Sequence, residues 1–273
     1  MPADMAALIS DLTAETAEPR DLVSGLDAAG WLTPTPAPGW MIADQISHLA
    51  FFDDAAVTAA TDPDRFSTEL SRAEGTSEIT PDDIAIRYRG LSGSELLDWF
   101  DLSRRRLIEI FAGLDPAARL PWFGPPMSAA SAVTARIMET WAHGQDIADA
   151  LGAARIPSDR LRHVAHLGVR ALPFSFLVNG LEVPGEPVRI ELTLPSGEPL
   201  MLGSSPRSST PSNLVTGPAL DFCLLVTHRR HRQDTALVAL GPVADRWLDI
   251  AQAFAGPPGK GRRPGQFADQ NIG

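Results

Sequence analysis

The chain has 273 residues, 44% of them hydrophobic and 21% charged, with a formal net charge of −11 at pH 7. That composition suits a soluble globular protein with one large core or two smaller ones, and the acidity argues against nucleic acid as a partner. A single cysteine, Cys223, excludes an intramolecular disulfide and a thiolate metal cluster, which fits a reducing, cytoplasmic setting.

The opening "MPADMAALISDLTAE" has no basic n-region, and no apolar run reaches membrane-spanning length, so neither a signal peptide nor a membrane partner is expected. One lysine (Lys260) stands against 22 arginines, the bias of a high-GC genome.

The first half reads as helices. Apolar positions Met5, Leu8, Ile9, Leu12, Leu22 and Leu26 predict a helix over about 3–29, stopped at Gly30. "TPTPAPG" (33–39) is a rigid extended connector, because proline cannot continue a helix. A second helix is expected over about 40–60. Residues 61–90 are polar, with at most a short helix after Thr80-Pro81. A third helix covers roughly 92–113, "LDPAARLPWFGPPM" is a loop, and a fourth helix covers about 128–151. Four long helices with connections between them are the pattern of a bundle.

The second half changes character. A helix is expected over 157–180, capped by Ser158. "PVRIELTL" and "PLMLGS" form a hairpin around "SGE", and "SNLVTG" and "TALVAL" are further strands. Helices are expected over 218–230 and 242–254. This is an α+β domain with an antiparallel sheet. The domains are therefore 1–152 and 157–255, and the Gly/Pro-rich tail 256–273 is expected to be disordered.

His48 stands inside the second helix, with Asp44 and Gln45 about one turn before it. On the fourth helix, Glu139 and His143 are four apart and share a face, extended by Arg136 and Asp146. Opposite that stripe lie Val133, Ile137, Trp141, Ala148 and Leu151. Periodicity alone therefore allows the stripe to be a solvent face. Chemically, two imidazoles and a carboxylate from two helices also suit a divalent metal. Ser and Cys nucleophiles have no paired base here, which speaks against a hydrolytic triad.

"GWMIADQISHLA" and "RIMETWAHGQDIADALG" resemble the DinB-like superfamily, and within it the mycothiol-dependent maleylpyruvate isomerase group. The likeness rests on Trp40-x₇-His48-Leu49 and on Arg136-x₂-Glu139-x₃-His143-x₂-Asp146. It implies a metal-binding four-helix bundle over about 1–152 and a smaller, sterol-carrier-like α+β domain after it. It implies His48, Glu139 and His143 as ligands of a divalent metal, with zinc the expected ion. The same resemblance places a second-domain arginine near the reaction, best matched by Arg229 within "THRRHR" (227–232). Read without it, that cluster is a basic helix C-terminus complementing the helix dipole.

Three protein ligands leave a coordination position open, as in catalytic zinc sites. The implied reaction is attack of a metal-activated thiolate, mycothiol in an actinobacterial host, on an electrophilic small molecule, by an S-transferase or isomerase. Arg136 would pair with Glu139 or recognise an anionic substrate; Asp44, Gln45 and Asp146 would orient the ligands. A monomer or homodimer would suffice. Two alternatives use the same residues: a hydrolase with metal-bound hydroxide, and a non-catalytic protein binding metal and lipid.

Overall fold

The computed structural model describes residues 4–74, 80–203 and 211–267. It divides into two compact units, Met1–Ala153 and Ala154–Gly273. Among the described residues no helix is long and apolar enough to cross a membrane.

The first unit is helical. Helix α1 (Met5–Val23) starts at Asp4, whose carboxylate accepts the Ala7 N–H. It is followed by a single turn, α2 (Ala28–Trp31), capped by Asp27. The one long helix expected over 3–29 is thus broken, since Ser24 and Asp27 prefer caps to helix interiors. Helix α3 (Ile42–Thr61) follows the proline connector. Within the polar stretch lie α4 (Pro63–Glu74) and α5 (Pro81–Tyr88). The second is the short helix expected after Thr80-Pro81, with Thr80 and Asp83 capping it reciprocally; the apolar residues of α4 are too sparse to signal a helix. Residues 75–79 of that stretch lie outside the described residues.

Helix α6 (Gly93–Ala112) opens with a Ser92/Glu95 capping box. Gly93 is required there, because a Cβ would lie 2.1 Å from the Trp31 indole nitrogen. A two-residue ladder, β1 (Arg119–Leu120) with β2 (Met127–Ser128), ties down the loop before α7 (Ala129–Leu151). Ser128 caps α7, and Gly152 ends it in the left-handed conformation at φ 62°.

Helices α1, α3, α6 and α7 pack in a ring: α1 on α6 and α7, and α3 on the same two. One apolar cluster joins Leu12, Val57, Leu107, Phe111, Val133 and Ile137; a second joins Val23, Ile42, Ile46, Leu96, Phe100 and Ile147. A buried ion pair also sits in the bundle. Arg104 donates to both carboxylate oxygens of Asp53, at 2.7 and 3.2 Å, and to Thr140 and Thr16.

In the second unit the helix expected over 157–180 is two, α8 (Leu161–Arg170) and α9 (Leu172–Val178), separated at Ala171. Pro173 has no N–H to carry the first helix onward. Arg160, not Ser158, occupies the N-cap position of α8. Strands β3 (Arg189–Thr193), β4 (Pro199–Gly203), β5 (Leu214–Pro218) and β6 (Val238–Leu240) form one sheet in the order β4-β3-β5-β6. The sheet is mixed rather than antiparallel, because β5 pairs parallel to β3. After the hairpin the chain re-enters on the far side of β3, and that crossing sets the direction of β5.

Helix α10 (Ala219–Val226) packs on β3, β5 and α8, and α11 (Pro242–Ile250) packs on β6 and α9. Gly168 allows the α8–α10 crossing; a Cβ there would lie 2.9 Å from Val226. Cys223 is buried in this core and its thiol donates to the Leu161 carbonyl at 3.4 Å. His228, just past α10, is held at φ 61°. Up to Phe267 the tail is attached to this unit: Gln252 donates to the Gly256 carbonyl, Gly265 N–H to Asp234, and the Arg230 guanidinium lies 3.9 Å over the Phe267 ring. Residues 268–273 of the expected disordered tail lie outside the described residues.

Candidate metal centre

Helices α3 and α7 pack directly on one another and bring His48, Glu139 and His143 together. The stripe on α7 is not a solvent face: Arg136, His143 and Asp146 are buried, and Glu139 is half-buried. Small neighbours such as Ala132, Ala142 and Gly144 let this helix bury itself almost all round.

One potential ligand atom from each of the three residues lies within 4.8 Å of the others. The Glu139 Oε2 atom is 3.1 Å from His143 Nε2 and 3.7 Å from His48 Nε2. Two donors bound tetrahedrally to one zinc ion at about 2.0–2.1 Å stand roughly 3.4 Å apart, so the two spacings bracket what an ion needs. The donor set fits a divalent metal in chemistry and in size.

Electrostatics agree. Burial, then the neighbouring His143, lowers the His48 pKa from 6.5 to about 4, which keeps its imidazole neutral and able to ligate. Burial alone would raise the Glu139 pKa. The adjoining His143 and His48 rings, with the Arg136 charge, outweigh it and hold the carboxyl well below its ordinary range.

Aromatic rings surround the ligands. His48 lies 4.6 Å from Phe52 and 5.4 Å from Trp40, centroid to centroid. Arg136 is buried with its guanidinium 5.6 Å from the Phe52 ring and 5.7 Å from Trp122. Its Nη1 has no hydrogen-bond partner among the described residues. Burial lowers its pKa.

The other expected site residues separate. Gln45 Oε1 meets His143 Nδ1 in a short hydrogen bond. Asp44 faces elsewhere: it accepts from Met41 N–H at 2.8 Å and from Arg89 Nε and Nη2 at 3.0 and 2.8 Å, fixing the start of α3. Asp146 is buried one turn beyond His143. Arg229 lies in the second unit, three residues past α10, and donates to the Thr227 carbonyl at 2.6 Å. Its neighbour Arg232 pairs with Asp245 and Asp249. Sequence reasoning missed Thr35, Trp122 and Arg89, and gave no role to Phe52, one turn after His48. The connector's prolines drew attention away from Thr35, and no local spacing marks Trp122 or Arg89.

Comparison with known proteins agrees with this geometry. Residues 12–148 match the family described as the mycothiol maleylpyruvate isomerase N-terminal domain. Two Mycobacterium tuberculosis proteins, Uncharacterized protein MT0041 (strain CDC 1551 / Oshkosh) and Uncharacterized protein Rv0036c (strain ATCC 25618 / H37Rv), are each 48% identical to the chain over 260 residues. The match covers 95% of this chain and all of theirs. The crystal structure of the mycothiol-dependent maleylpyruvate isomerase superposes with a TM-score of 0.59 at 16% identity, over 87% of this chain and 93% of that one. A histidine-to-alanine mutant of that enzyme gives 0.58 at 17% identity over the same shares. The chain therefore belongs to the mycothiol maleylpyruvate isomerase N-terminal domain family, a family of thiol-dependent enzymes with a DinB-like fold.

Proposed function

We propose that this protein is a metal-dependent enzyme that uses a low-molecular-weight thiol, mycothiol, against an electrophilic small molecule. The observation that carries the reading is the convergence of His48, Glu139 and His143 at metal-ligand spacing, in a chain of this family. Zinc suits two imidazoles and a carboxylate. These ligands leave a divalent ion with net charge +1, and its chemical contribution is to favour the ionised form of a thiol whose free pKa is about 8.5.

The chain's own residues then have distinct tasks. His48 and His143 offer neutral nitrogens, and Glu139 supplies the one negative charge. Gln45 fixes the His143 ring, Asp44 anchors the start of α3, and Asp146 is proposed to support the α7 side of the site. Arg136 is proposed to hold an anionic group of substrate or thiol against the aromatic wall of Phe52 and Trp122. Arg229, in the second unit, is proposed to bind an anionic group of substrate or thiol.

Sulfur adds to one carbon of an electrophilic carbon–carbon double bond in either outcome, and the π electron pair moves to the other end of the conjugated system. If that position takes up a proton, the thiol stays and the reaction is a transfer; if the pair re-forms the double bond after rotation and expels the thiolate, the reaction is an isomerisation. The protein acts as a monomer or homodimer in the cytoplasm.

The test is spectroscopic. Cobalt(II)-substituted protein should gain a sulfur-to-metal charge-transfer band with mycothiol and none with a sulfur-free analogue. An unchanged spectrum at saturating thiol, with ester hydrolysis in its absence, would replace this reading by a metal-dependent hydrolase.

A further inference from the structure

The segment "TPTPAPGW" (33–40) closes on itself directly before α3. Thr35 N–H donates to the Trp40 carbonyl at 2.8 Å, Trp40 N–H donates to Ala37 at 3.0 Å, and Pro34 bridges Met41. Proline fixes φ on both sides of Thr35, so this turn is set before any ligand arrives. The Thr35 hydroxyl also donates to the Trp40 carbonyl, at 2.9 Å. A hydroxyl has one proton, and a carbonyl can only accept. Towards Gln45, 2.9 Å away, Thr35 can therefore only accept, and it selects the amide NH₂ group. The Gln45 carbonyl oxygen is left facing His143 Nδ1.

That oxygen cannot donate, so Nδ1 carries the proton. Nε2 is then the atom left to face the ion, and it lies 3.1 Å from Glu139 Oε2. We propose that Thr35 is a positioning residue of the metal centre: through Gln45 it fixes both the tautomer and the orientation of the His143 ring. The inference rests on the metal reading of His48, Glu139 and His143, and extends it by two links. Its importance is chemical. With the opposite tautomer, Nε2–H would point at the ion and could not bind it. Outer partners of this kind are typically worth about 10–100-fold in metal affinity.

The experiment uses full-length Thr35→Val, Thr35→Ser and Gln45→Met proteins, each titrated with zinc against a chromophoric chelator. The metal-free forms are read by long-range ¹H–¹⁵N imidazole spectra at about pH 9, where unpaired imidazoles are neutral. In the wild type, His143 should show a proton held on Nδ1. Thr35→Val, which keeps shape and loses the hydroxyl, should show mixed tautomers and bind zinc about tenfold more weakly. Gln45→Met should do the same, and Thr35→Ser should restore both properties.

Wild-type tautomer and affinity in Thr35→Val would overturn the proposal. Equal losses in the serine and valine proteins would also overturn it, since they would mean that only the loop's shape matters. If the wild type binds no zinc, the metal reading fails and the proposal falls with it. A Nδ1-protonated His143 in that case would show that the hydrogen-bond chain exists without serving a metal.

Discussion

The indole of Trp40 lies nearly parallel to the imidazole of His143, with centroids 5.9 Å apart and 21° between the planes. Its nitrogen donates to Asp82 on α5 at 2.7 Å, so the ring is pinned from both sides. Trp40 thus stands just before α3 and covers one wall of the candidate metal centre. A paramagnetic ion held by His48 and His143 should quench Trp40 emission. Cobalt(II) loading should quench the wild type and quench Trp40→Phe distinctly less. Equal quenching in the two proteins would place the ion elsewhere.

Metal content gives the most direct check. Elemental analysis should find one divalent ion per chain, lost on chelation and absent from His48→Ala and His143→Ala. Full occupancy in both variants would remove the ligand assignment. Glu139→Gln should weaken binding, because it removes the only anionic ligand in the set.

Arg136 should report on substrate rather than on metal. Arg136→Met is expected to raise KM for an anionic partner about tenfold, with kcat changed less, since it removes binding shared by ground and transition states. Metal occupancy should be unchanged. Loss of the ion in this variant would instead make Arg136 a structural support of Glu139.

The Asp53–Arg104 pair tests the bundle. Both side chains are almost fully buried, so Arg104→Met leaves a carboxylate stranded in the core. Breaking such a pair typically costs about 3–5 kcal/mol, while replacing both members together is often tolerated. Urea unfolding should show that loss for Arg104→Met and substantial recovery in Asp53→Leu/Arg104→Met. Near-wild-type stability of the single variant would contradict the buried pair.

Stability of the metal-free protein should fall with acid. Burial lowers the pKa of His48 and His228 from 6.5 to about 4, and both therefore favour the neutral, folded form. The unfolded chain binds more protons between those values, so stability is full above about pH 6.5 and declines as pH falls towards 4. For His48 the loss is on the order of 3 kcal/mol. His228→Asn, which tolerates the left-handed backbone, should flatten the decline. An unchanged slope would mean that His228 contributes nothing to it.

The sequence made the bundle readable because each long helix carries its own apolar period and caps, as Ser92 with Glu95 and Ser128 with Gly152 do. The ligand candidates were readable for a different reason: Glu139 and His143 share one face by spacing alone, and His48 joins them through a recognisable pair of motifs. What lay hidden depends on distant chain segments. Asp44 looked like a partner of His48, but Arg89, 45 positions away, claims it. The parallel pairing of β5 with β3 reflects a crossover that alternation cannot encode. Thr35 was hidden because its role needs Gln45 and His143 to be in place.

The burial of Cys223 has a consequence for a protein proposed to handle electrophiles. Its thiol is enclosed by the second unit's core, and burial raises its pKa well above the ordinary value. The thiolate is the reactive form of cysteine, and here it is both scarce and out of reach. A reactive substrate would therefore find no accessible thiol on the folded enzyme to compete with the one supplied from solution. The catalyst would outlast its own reagents, and alkylation of Cys223 would serve as a marker of unfolding rather than of turnover.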